Sequence, residues 1–179
     1  MIKSGPVAER NTRTLSARVA RTRSGERLGG LIYGTIVALS VVVAGARAFP
    51  DEPGHIAVVV TVTSAVFWLA HVYAHALGEG VAHEEHLSFA RLRQIARREG
   101  AVVEAALPPV VALMLGAAGI LGAHTALWLA FGLGLVTLGA QGLVFARVER
   151  LGPLATFAVV TMNLALGLVL VALKLLLNH

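Results

Sequence analysis

The sequence predicts an all-α fold, a polytopic membrane bundle of five transmembrane helices with the amino terminus inside and the carboxyl terminus outside. Three observations predict it. Of 179 residues, 56% are apolar and 14% charged, against roughly 25% charged in a soluble domain, and the mean hydropathy is +0.76. The charges are also segregated: Leu28–Ala46, Ala105–Ala146 and Leu151–Leu173 carry none, and a span needs about 20 apolar residues. Finally, the basic residues alternate in side. Residues 1–27 hold Lys3, Arg10, Arg13, Arg18, Arg21, Arg23 and Arg27; the second loop holds Arg91, Arg93, Arg97 and Arg98; the fourth holds Arg147 and Arg150. Only Arg47 and Lys174 fall on the other side, and basic loops stay in the cytoplasm.

Taken in order, residues 1–27 form a basic cytoplasmic tail that suits a disordered or lipid-adsorbed segment. They lack the apolar centre of a cleaved signal peptide, so the first span is expected to be retained. The membrane domain occupies 28–179, with spans near 28–46, 55–77, 101–122, 125–147 and 153–175. The 42-residue run from Ala105 to Ala146 is too long for one helix and divides at Gly122-Ala-His124. Residues 82–100 set Phe89, Leu92 and Ala96 at helical spacing against four arginines, the pattern of a basic amphipathic helix lying on the inner interface or of a solvated connector. Anionic headgroups account for the basic pI near 10.7 without a nucleic-acid partner. There are no cysteines, which excludes disulfides and thiolate metal sites.

Ionisable groups inside a span are expensive and therefore informative. His71 and His75 lie about 24 and 30 Å along the second span from His55, and Glu104 enters the third span at similar depth. With Tyr33 early in the first span and Gln141 late in the fourth, they form a candidate polar cluster facing one vestibule, or merely sit in the headgroup zone. Pro108 and Pro109 remove the donors for the carbonyls of Glu104 and Ala105, which predicts a kink. His71, His75 and Glu79 recur every four residues, so two imidazoles and a carboxylate, with His83 or His86 nearby, are candidate ligands for zinc or iron. Gly78 and Gly80 weaken the helix that would align them. No other cofactor is implied.

Gly30, Gly34 and Ala38 form a small-residue stripe that permits close helix approach, and Gly132, Gly134, Gly139 and Gly142 do the same in the fourth span. The first helix continues from Arg27 through Leu31-Ile32-Tyr33-Gly34, the second carries Phe67-Trp68-Leu69-Ala70-His71, and a basic stretch ending in Arg97-Arg98 leads into the third. Over residues 27–120 this resembles the potassium channels of prokaryotic and endolysosomal membranes whose first helix bears Arg-x-x-x-Phe-Ser-Asp. Here Leu-Ile-Tyr replaces Phe-Ser-Asp. The resemblance implies a homo-oligomer with the first helix at its axis, and Thr35, Ile36, Ala38, Leu39 and Val43 as pore-lining candidates.

Three readings stand at this point. The first is a channel-like oligomer for a small cation in a bacterial inner membrane. The second is a histidine-based metal transporter or redox protein, and the third a non-catalytic scaffold or accessory subunit. An ordinary enzyme is not expected, because no nucleophile with an adjacent base, phosphate loop or dinucleotide fingerprint occurs.

Overall fold

A computed structural model describes residues 6–83 and 88–177, with side chains at 25, 27–78, 88–173 and 176; no strand occurs among the described residues. The elements are α1 (Pro6–Ala48), α2 (Pro53–His83), α3 (Phe89–Arg98), α4 (Ala101–Glu104), α5 (Leu107–Ala117), α6 (Ala123–Val148) and α7 (Pro153–Leu177). Stretches 27–48, 53–78, 123–148 and 153–173 are each long and apolar enough to cross a membrane. This is the helical bundle of a multi-pass integral membrane protein.

The third crossing differs from its expected form. Instead of one helix over 101–122, α3–α4 and α5 meet at a 55° bend between Glu104 and Leu107. Pro108, in the first turn of α5, cannot donate to the preceding turn, so the ladder breaks there. The two ends nevertheless reach opposite ends of α2. Glu99 faces His75, while a Cβ on Gly54 would lie 3.1 Å from that of Ala117. The bent unit therefore runs the length of the apolar part of α2, so that the described helices make four crossings, or five when the bent pair is counted as one.

Two helices run past their spans. α1 is helical from Pro6, since residues 7–24 contain neither glycine nor proline to interrupt it, and its apolar stretch begins at Arg27, beside the expected residue 28. α2 passes through Gly78 without a break and ends at His83. The turn after α5 uses Gly119 at φ 73°, with Ile120 N–H donating to Leu115 and Gly119 N–H to Gly116, a Schellman closure. Arg150 closes α6 in the same way at φ 54°, its successor Leu151 donating to Ala146.

α1 packs against α2, α4, α6 and α7, so it is the central helix of the bundle. Leu39, Val42, Ile56, Val60, Leu113, Phe131 and Leu138 fill the space around it. The glycines expected to allow close approach do so at particular points. A Cβ on Gly34 would meet the backbone oxygen of Val102 at 2.6 Å, one on Gly134 would run into Leu39, and one on Gly142 would meet Asn163. Gly132, by contrast, faces open space.

Candidate functional site

Gly30 and Gly34 pack on residues 101–105, which leaves the adjoining face of α1, roughly 60–100° around the helix, directed outward. On that face Tyr33 meets α2, its ring centroid 6.2 Å from Phe67 and 5.3 Å from His71. His71 Nδ1 lies 2.9 Å from the carbonyl oxygen of Phe67, and His75 Nδ1 lies 3.2 Å from that of His71. A carbonyl only accepts, so each Nδ1 carries the proton and donates. In the neutral ring, Nε2 is then left as an acceptor.

α3 docks over this end of α2. Its apolar side consists of Ile95, buried against Val72 and Ala76, with Ala96 beside it; Trp68 Nε1 donates to the Ala96 carbonyl at 2.9 Å. Phe89 and Leu92, expected on the apolar side of this basic helix, do not take part in the packing on α2. Phe89 is 81% exposed and Leu92 also lies outside, because the register is set by Ile95 and the Trp68 bond. Docking brings the carboxylate of Glu99 to 3.5 Å from His75 Nδ1, with the Glu99 side chain only 14% exposed. Tyr33, His71, His75, Arg98 and Glu99, with the glycines at 29 and 30, line a pocket of about 260 Å³.

The candidate polar cluster thus divides in three. Tyr33, His71 and His75 share the pocket. Glu104 lies apart from it and pairs with Arg27 at 2.9 Å, the two side chains 51% and 63% exposed, a pair worth at most about 1 kcal/mol. Gln141 lies inside the bundle, where its Nε2 donates to Thr35 Oγ1 at 3.1 Å while the Thr35 hydroxyl donates to the Leu31 carbonyl. Among the described residues no buried side-chain nitrogen or oxygen lacks a partner.

Thr35, Ala38, Leu39 and Val43 are buried inside the chain, and Ile36 packs against the same core. Within residues 28–46 the exposed positions of α1 are instead Gly29, Tyr33 and Ala44. As to metal ligands, no group of three histidine or acidic residues close enough to hold an ion occurs among the described residues. The side chains of Glu79 and His83, and all of His86, lie outside the described residues.

No protein-family model, curated protein or solved structure matches this chain. Its function is therefore argued from geometry. Sequence reasoning missed Arg98 and Glu99 as pocket residues. The available signal was Glu99 itself, the acidic residue that ends the basic stretch after Ile95.

Proposed function

We propose that this chain is a non-catalytic, binding or accessory protein of a bacterial inner membrane, amino terminus in the cytoplasm, and that its working site is the Tyr33–His71–His75–Arg98–Glu99 pocket. One observation carries the reading: three helices deliver donors, acceptors and both signs of charge to one cavity at the end of the bundle. Such a cavity suits a small polar group bearing both charges. Conduction of a small cation along the Leu39 face of α1, the role implied by the channel resemblance, draws no support from a face enclosed by the other helices of the same chain. Occupation of the histidine pair by zinc or iron would need a further ligand beyond the described set.

The test compares diethyl pyrocarbonate modification of His71 and His75, read by mass spectrometry, in native membranes and in detergent-stripped protein. His55 and His124, both exposed, are the internal controls. The binding reading expects slower modification of the pair in native membranes with the controls unchanged. Equal rates, or a steady potassium or sodium flux through the purified protein in liposomes, would overturn it.

A further inference from the structure

The pocket is not isolated. Gly29 and Tyr33, which line it, continue along α1 at four-residue spacing through Val37 to Val41 and Gly45. On α2 the matching row runs from His75 and His71 through Phe67 to Thr63 and Val59. Val41, Gly45, Val59 and Thr63 line a second, open and mostly apolar cavity of about 440 Å³. Both cavities are thus bounded by the same two helices, polar at one end and apolar further along. At 1.5 Å per residue Val41 and Gly45 are about 12 and 18 Å from Tyr33, bracketing the roughly 15 Å that one leaflet contributes to a 30 Å hydrocarbon core.

We propose that the seam between these two helices binds one membrane phospholipid whose head carries a phosphate and a primary amine, as in phosphatidylethanolamine, with an acyl chain lying along the seam. The inference rests on the pocket being a binding site and names its ligand class. Charge complementarity selects the head. The Arg98 guanidinium and Tyr33 hydroxyl supply donors for phosphate oxygens. The Glu99 carboxylate and the Nε2 atoms of His71 and His75 supply acceptors for an ammonium N–H. A trimethylated amine has no N–H to donate, and a glycerol head has no cation for Glu99. The apolar cavity selects an attached chain over a free head, because covering apolar surface at that depth needs a hydrocarbon partner.

The experiment places the full chain in phosphatidylcholine vesicles and replaces that lipid stepwise with phosphatidylethanolamine or phosphatidylglycerol, again reading modification of His71 and His75. Phosphatidylethanolamine is expected to protect both, and neither of the other lipids to do so. Glu99→Gln should raise the phosphatidylethanolamine fraction needed for half-protection about tenfold, the effect of losing one charge-assisted contact. The wild-type comparison among lipids stands even if that variant loosens α3. Water-soluble glycerophosphoethanolamine is the arm for a free head: protection at the same concentration as the intact lipid would overturn the seam. Equal protection by all three lipids would overturn the amine specificity. Protection in native membranes without a response to phosphatidylethanolamine would leave the binding reading standing and overturn this one.

Discussion

Replacing Gly34 with alanine adds one methyl group where α1 meets the backbone of α4, and Gly132→Ala adds the same group where nothing is in reach. Both sites are inside long helices, so both variants gain the same backbone preference, about 0.5–1 kcal/mol for alanine over glycine. That term cancels in their difference and the steric cost remains. At Gly34 the new carbon would sit 2.6 Å from the Val102 carbonyl oxygen, 2.9 Å from Val102 Cα and 2.9 Å from Ala105 Cβ. Two of these atoms are backbone, held by α4, and cannot rotate away as a side-chain tip would. Relief requires α1 and α4 to separate, and overpacking of this kind costs about 1–3 kcal/mol. Gly34→Ala should therefore be less stable than Gly132→Ala by that amount, roughly a 5- to 150-fold shift in the unfolding equilibrium. The assay is titration of each purified variant with sodium dodecyl sulfate in mixed micelles, followed by far-ultraviolet circular dichroism. Coincident midpoints would refute the contact between α1 and α4, and with it the outward placing of Tyr33.

A reporter fused before Met1 should lie on the cytoplasmic side and one after His179 on the opposite side, since five crossings put the ends apart; reporters on the same side would break the count at the α4–α5 bend. Arg150→Gly should stabilise the protein by about 1 kcal/mol, because a left-handed residue with a Cβ costs about 1–2 kcal/mol that glycine avoids, and the same titration would detect it. Leu39→Ala should cost about 2–5 kcal/mol, the range for emptying a buried leucine site; an unchanged midpoint would mean that Leu39 is not enclosed as described. Thr35→Val leaves the Gln141 amide without its partner and should cost about 0.6–2 kcal/mol, the scale of interhelical hydrogen bonds in membranes, with Ser at the same position recovering most of the loss.

Fold class and the succession of apolar helices were legible in the sequence because each depends on local quantities. A span is a charge-free run of sufficient length, and Ala105–Ala146 or Leu151–Leu173 declares itself without reference to any neighbour. Pro108 likewise announces a break in its own ladder, and the stripes at Gly34, Gly134 and Gly142 announce close approach. What the stripes approach is not local. Gly34 receives α4, and Gly134 receives Leu39 from a helix 95 residues earlier in the chain, so Leu39 became core where a wheel of α1 alone left its partner open. The same limit applied to the polar residues. Tyr33, His71, His75, Glu104 and Gln141 share a depth, which sequence distance measures, but depth says nothing of the angle around the bundle. Only the packing of α1 at the centre sent Tyr33 to the seam, Gln141 to Thr35 and Glu104 to Arg27. Glu99 joined His75 because Ile95 and Trp68 fix the register of α3 on α2, a long-range contact between two helices that no periodicity within either one encodes.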